Sequence, residues 1–198
     1  MNLYDGRRNK KRNFSGQNRV GHLAIVTIND NHPDGPCTVL YNKVIKHRVQ
    51  DGQWIDVATN RSGITEADYR NGIPYEEAIV EIKGILKDAI VVGQNINSDF
   101  KALQLSMYPT VHCVYDTATN ASLNDLVPSE RGKPQSKLAG LALSLLGETI
   151  QQHRVHDPVE DALASLRIYL KHKYLRWEPF GDPQSLATLQ DGRTFRLE

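Results

Sequence analysis

The chain has 198 residues, 39% hydrophobic and 24% charged, with a formal net charge of +1. These values fit one globular domain with a sizeable core and exclude an intrinsically disordered chain. Near-neutrality excludes a whole-molecule electrostatic preference for nucleic acid, but the charge is uneven: Arg7, Arg8, Lys10, Lys11, Arg12 and Arg19 face only Asp5 within residues 1–20. Such a basic arm can contact phosphates, can be a solvated tail, and is also the composition of a nuclear-localisation patch. No apolar run is long enough to span a membrane and no signal peptide opens the chain. Cys37 and Cys113 form no C-x-x-C pair and sit in apolar, strand-like surroundings, so buried reduced thiols and an intracellular protein, nuclear or cytoplasmic, are expected.

Residues 7–19, polar and basic, read as a loop or arm. His22–Ile28 and Cys37–Ile45 are β-branched runs separated by a stretch dense in turn formers, which predicts an antiparallel hairpin. A loop holding Trp54 follows, and Arg61–Thr65 precedes a short polar segment. Pro74 opens a helix whose apolar stripe is Tyr75, Ala78, Ile79, Ile82, Ile85 and Leu86. Ala89–Gly93 is apolar without alternation, as buried parallel strands are. Asn97 or Ser98 is placed to cap a short helix carrying Asp99, Phe100 and Leu103. Val111–Tyr115 is a further strand ending at Asp116 and Thr117, and residues 128–135 form a loop. Ser136 is placed to cap a helix running through Leu146 with Gly147 as its C-cap. The last helix spans about 158–172, and an irregular tail begins near Trp177. The order predicts an α/β fold, a mixed sheet flanked by helices, with functional groups gathered at the strand ends near Gly93 and Asp116. The chain divides into a basic arm (1–20), a domain (21–175) and a tail (176–198).

The segment His156-Asp157-Pro158-Val159-Glu160-Asp161-Ala162 carries the most chemistry. Pro158 suits the first turn of a helix, so His156 lies on the entering loop and Asp161 on the helix. A loop imidazole and a helical carboxylate aimed at one spot can supply a base and a metal ligand; the plain alternative is an acidic helix start that complements the macrodipole. Asp99 begins a helix after a buried strand, from where it can face the same sheet edge. Converging acids repel unless a cation lies between them, and an oxygen-rich site of this type favours Mg²⁺ or Mn²⁺.

These segments resemble the DEDDh 3′–5′ exonucleases, in the branch of RNA exonuclease 4 and the interferon-stimulated 20 kDa exonuclease. Val91–Phe100 resembles the second motif, Val114–Thr117 the strand end that follows, Lys137–Leu141 the helix before the third motif, and His156 with Asp161 the third motif itself. Ser62–Thr65 resembles an element upstream of the second motif. The resemblance implies an RNase H-like fold, metal ions held by acids that include Asp99 and Asp161, His156 as general base, removal of nucleotides from the 3′ end, and RNA or another single-stranded nucleic acid as partner. Asn95 and Phe100, within the second motif, are assigned to substrate contact.

The pattern departs from the family at two places. Gln94 stands where the second motif has a histidine. The first motif, Asp-x-Glu, is absent; in the family's spacing Asp5 supplies the first acid as a metal ligand and Arg7 replaces the glutamate. An arginine cannot ligate a divalent ion and, at ~4 Å and an effective dielectric of ~20, opposes one by about 4 kcal/mol per unit charge before screening. Three readings follow. Arg7 neutralises the acids and the protein is a pseudo-exonuclease that binds RNA or a protein partner without a metal; or three aspartates hold a single ion and cut weakly; or an upstream segment carries the true first motif. Discrimination between RNA and DNA rests on 2′-hydroxyl contacts that the sequence does not reveal.

Overall fold

The structure, a computed structural model, describes residues 19–28, 32, 34–47, 62–127, 137–152 and 155–173. Asp5, Arg7 and the rest of the basic arm through residue 18, the Trp54 loop, the 128–135 loop, Ser136, His153 and the tail from 177 lie outside the described residues.

Strand β1 (His22–Thr27) pairs antiparallel with β2 (Thr38–Lys46), as the hairpin pattern predicts. A short helix α1 (Glu66–Arg70) follows, where sequence reading gave only a polar segment. It is held by a capping box: Thr65 accepts from the Asp68 amide while the Asp68 carboxylate accepts from the Thr65 amide. Strand β3 (Ile73–Pro74) adds two parallel residues beside β2. Helix α2 (Tyr75–Leu86) buries Ala78, Ile82 and Leu86, one side of the expected stripe. Strand β4 (Ile90–Gly93), helix α3 (Ile96–Ala102) and strand β5 (Cys113–Asp116) follow, with β4 and β5 parallel. Helix α4 (Ala121–Leu126) was not expected; Asn120 caps it by accepting from the Leu123 amide. Helix α5 (Leu138–Leu141) widens into a π-helical stretch, Ala142–Leu146, and stops at Gly147 in the left-handed conformation, φ 73°. Helix α6 (Pro158–His172) matches the predicted span.

Among the described residues the strand ladders are β1-β2-β3, which is mixed, and β4-β5, as the expected mixed sheet flanked by helices requires. Every residue of β5 is buried. Its side chains alternate, Val114 entering one core with Tyr41, Ile45 and Ile82, and Cys113 and Tyr115 entering another with Leu166 and Tyr169. A third core joins Leu123, Leu141 and Ile150 to Ala164 and Ile168 of α6. Helix α6 thus packs on two cores and also contacts β1 and β4. Strands β1 and β4 are only half-buried throughout although their sequences, HLAIVT and IVVG, are mainly apolar. The reason is a cleft of about 870 Å³ lined by all of β1 and all of β4. Among the described residues, β1 pairs only with β2 and β4 only with β5, so each has an edge without a ladder partner. Both cysteines are free, Cys113 buried and Cys37 half-buried rather than buried.

Candidate functional site

Asp157 is the N-cap of α6: its Oδ1 accepts from the Val159 amide at 2.8 Å and reaches the Glu160 amide at 3.5 Å. With Pro158 in the first turn, this cap fixes where the helix begins. His156 is thereby held just outside the helix and Asp161 inside its first turn. The two side chains meet: Nδ1 of His156 lies 3.1 Å from Oδ2 of Asp161. A carboxylate only accepts, so in a neutral ring the proton belongs on Nδ1 and Nε2 is left as an acceptor. The imidazole is 53% exposed and the Asp161 side chain 25%.

Gln151 closes the other side of Asp161. Its Nε2 donates to Asp161 Oδ1 at 2.8 Å, and its backbone amide donates to Glu160 Oε2 at 2.9 Å. Gln151 holds φ 59°, a left-handed conformation unusual for a non-glycine residue. The two bonds to successive acids of α6 fix that turn. Asp161 therefore has both carboxylate oxygens engaged, one by an amide and one by the imidazole. The Ser62–Thr65 element reaches the same region. Gly63 has φ 68°, and a Cβ there would lie 2.8 Å from Val155, the residue before His156.

Asp99 projects from the first turn of α3. The expected cap, Asn97 or Ser98, is corrected by the structure: both lie inside the helix, which begins at Ile96. The N-cap position is Asn95, with φ 58° and no side-chain cap bond. The cap comes instead from the end of β5, where Asp116 accepts from the Asn95 amide at 2.7 Å and the Ile96 amide at 2.9 Å. Although Asp99 as a residue reaches solvent, burial of its carboxyl, followed by the nearby Asp116 carboxylate, pushes its pKa up to about 6.

Asp99, His156 and Asp161 line one cleft, together with Gln94, Asn95 and Gln151. The structure thus pairs His156 with Asp161 and places Asp99, from a distant segment, on the lining of the same cleft. They do not form a closed ligand shell: among the described residues, no three His, Cys, Asp or Glu side chains are grouped to hold a metal ion. Asn95 is exposed at the cleft. Phe100 also borders it but is only 4% exposed and packs in the core with Ile96 and Leu103. It is a core residue, contrary to the expected substrate contact.

No family model matches the chain. Rat apoptosis-enhancing nuclease is 34% identical over 154 residues, 77% of this chain and 43% of the relative. RNA exonuclease 4 of Gibberella zeae is 32% identical over 151 residues, 76% of this chain and 43% of the relative. The mouse interferon-stimulated gene 20 kDa protein is 35% identical over 108 residues, 54% of this chain and 33% of the relative. The chain belongs to this exonuclease family. It spans about half the length, or less, of these curated relatives. The Saccharomyces cerevisiae Pan2 pseudoubiquitin hydrolase–RNA exonuclease module, solved with AAGGAA RNA, superposes with TM-score 0.51 at 19% identity, covering 96% of this chain and 34% of that one. That likeness supports the fold alone, which is α/β and RNase H-like.

Two residues that hold this candidate site escaped the sequence reading. Gln151 is one polar residue among several before the third motif, and only the fold shows that its amide faces Asp161. Asp116 was noted as a strand end, but its bonds to amides twenty residues earlier are tertiary and leave no local pattern.

Proposed function

We propose that this chain is a 3′–5′ exonuclease acting on single-stranded 3′ ends of RNA, with His156 as general base and Asp99 and Asp161 as ligands for Mg²⁺ or Mn²⁺. The observation that carries the reading is the His156–Asp161 pair, 3.1 Å apart, in the cleft that also receives Asp99. The donor chemistry fits a hard divalent cation: two carboxylates at a solvent-accessible cleft, with room for water and phosphate oxygens. Such an ion, when bound, stabilises charge on the attacking and leaving oxygens of a phosphodiester.

The chain's own residues do the rest. Asp161 keeps the imidazole proton on Nδ1, so Nε2 accepts the proton of the attacking water. Gln151 orients Asp161 from behind. Asn95 lies where a nucleotide entering the cleft would pass, and the basic arm with Arg7 tracks the phosphate backbone. In this reading Asp5 adds its carboxylate to the other two as a further metal ligand. The same basic cluster is assigned a nuclear-targeting role, and the boundaries near residues 20 and 175 separate arm and tail from the catalytic domain.

One specific observation favours a second reading, a pseudo-exonuclease that holds RNA or a protein partner without cutting: Arg7 stands where the family has a glutamate. The test is incubation of the full chain with 5′-labelled single-stranded RNA, or the matching DNA, and Mn²⁺. A ladder of products shortened from the 3′ end, lost in His156→Ala and favouring RNA, is expected. An intact oligonucleotide together with a rise in Mn²⁺ affinity in Arg7→Glu supports the second reading and overturns the first.

A further inference from the structure

We propose that Asp116 is a positioning residue for Asp99: its buried carboxylate ties the end of β5 to the turn that launches the helix bearing that acid. This rests on the metal-ligand role assigned to Asp99 above.

Asp116 is 6% exposed, and among the described residues the three hydrogen bonds its carboxylate accepts all come from backbone amides. Oδ1 accepts from Asn95 at 2.7 Å and from Ala118 at 2.9 Å, while Oδ2 accepts from Ile96 at 2.9 Å. A carboxylate out of water is costly unless its oxygens are bonded, so this geometry is strongly specified. The turn it grips is unusual in two ways. Asn95 has φ 58°, a left-handed conformation uncommon outside glycine and best tolerated by asparagine. Gly93 leaves no room for a side chain, since a Cβ would lie 2.9 Å from Ile96 Cγ1.

The next residue of β5's end grips the same turn from its other polar face. Thr117 donates to the Gly93 carbonyl twice, from its amide at 2.8 Å and its hydroxyl at 3.0 Å, and the hydroxyl also meets Gln94 Oε1. Residues 116 and 117 thus hold Gly93, Asn95 and Ile96 as a rigid unit. Helix α3 has seven residues and no side-chain cap of its own, so its direction is set by this clamp. Asp99 lies three residues past Ile96 and moves with it. Displacing a reacting or ligating group by about 1 Å can cost about a hundredfold in rate, which is what the clamp prevents. A purely structural cap would stabilise the fold without mattering to the ion more than any other core contact.

The test compares Asp116→Asn with Leu123→Ala, a destabilising change in a different core, by NMR of the labelled full chain. Amide exchange and Mn²⁺-induced broadening are followed in both. In Asp116→Asn the side-chain amide faces N–H groups that need an acceptor. The amides of Asn95 and Ile96 then exchange at least tenfold faster, and Mn²⁺ affinity read at Asp99 falls at least tenfold. In Leu123→Ala, exchange rises around Leu141 and Ile168 while Mn²⁺ affinity stays within threefold of the wild type. Equal losses of Mn²⁺ affinity in the two variants, or an opened α3 with unchanged affinity, overturn the proposal and leave Asp116 a structural cap. Wild-type protein with no broadening at Asp99 or Asp161 overturns the metal reading itself, and the positioning role with it.

Discussion

Replacing Asp157 by alanine removes the cap that sets both His156 and Asp161. The carboxylate accepts from Val159 at 2.8 Å and lies 3.5 Å from the Glu160 amide, so its loss strands the first amides of α6. Loss of such a cap costs about 1 kcal/mol, and loss of a negative charge at a helix start about 0.5 kcal/mol more. For a domain of this size 1 kcal/mol moves the melting temperature by about 2–4 °C, so Asp157→Ala is expected to lower Tm by about 3–6 °C. Asp157→Asn keeps an accepting oxygen and loses only the charge, so its Tm should fall by less than ~2 °C. Calorimetric melting of both variants checks the stability, and cleavage of labelled RNA checks the site. The alanine variant should lose far more activity than the asparagine variant, because fraying the first turn separates the His156 ring from Asp161. Equal Tm losses in the two variants would refute capping as the cause and assign the effect to charge. A full Tm loss in the alanine variant with unchanged cleavage would show that the turn does not set the site.

Three further outcomes follow from neighbouring contacts. Gln151→Leu removes the 2.8 Å bond to Asp161 without adding bulk. Loss of an outer-shell partner typically costs about 10–100-fold in metal affinity, and that drop in Mn²⁺ binding is expected by calorimetry. Gly63→Ala meets both a left-handed φ of 68° and a 2.8 Å approach to Val155; about 1–2 kcal/mol of stability is lost, seen as a lower urea midpoint. Asp99, pushed up to about 6 by burial and then by Asp116, is held in the fold more readily protonated than in the unfolded chain. Metal-free protein therefore loses stability as pH rises from about 4 through 6. Asp99→Asn removes that loss, so its Tm should exceed the wild type's at pH 7.5 and the gain should vanish at pH 4.

Elements with their own punctuation were legible in the sequence. Pro158 and the apolar period after it gave α6 to within a residue, and the turn-rich stretch between two β-branched runs gave the β1–β2 hairpin. Short elements were less so. Five-residue α1 carries no apolar stripe, only the Thr65–Asp68 box, and six-residue α4 rests on the Asn120 cap. The start of α3 was misplaced because its cap is tertiary: a local rule selects Asn97 or Ser98, whereas the carboxylate that does the capping arrives from β5. Asp99, His156 and Asp161 stood out as residue types; that Asp99 lines the same cleft as the His156–Asp161 pair did not, because the two segments lie far apart along the chain.

The most direct test is a crystal structure of the full chain grown with Mn²⁺, read by anomalous scattering. The account predicts an anomalous peak in the cleft within about 2.2 Å of carboxylate oxygens from both Asp99 and Asp161, close to the octahedral metal–oxygen distance for a hard cation. His156 should still lie against Asp161. Carboxylates of Asp99 and Asp161 turned to different regions, with no peak between them, would contradict it.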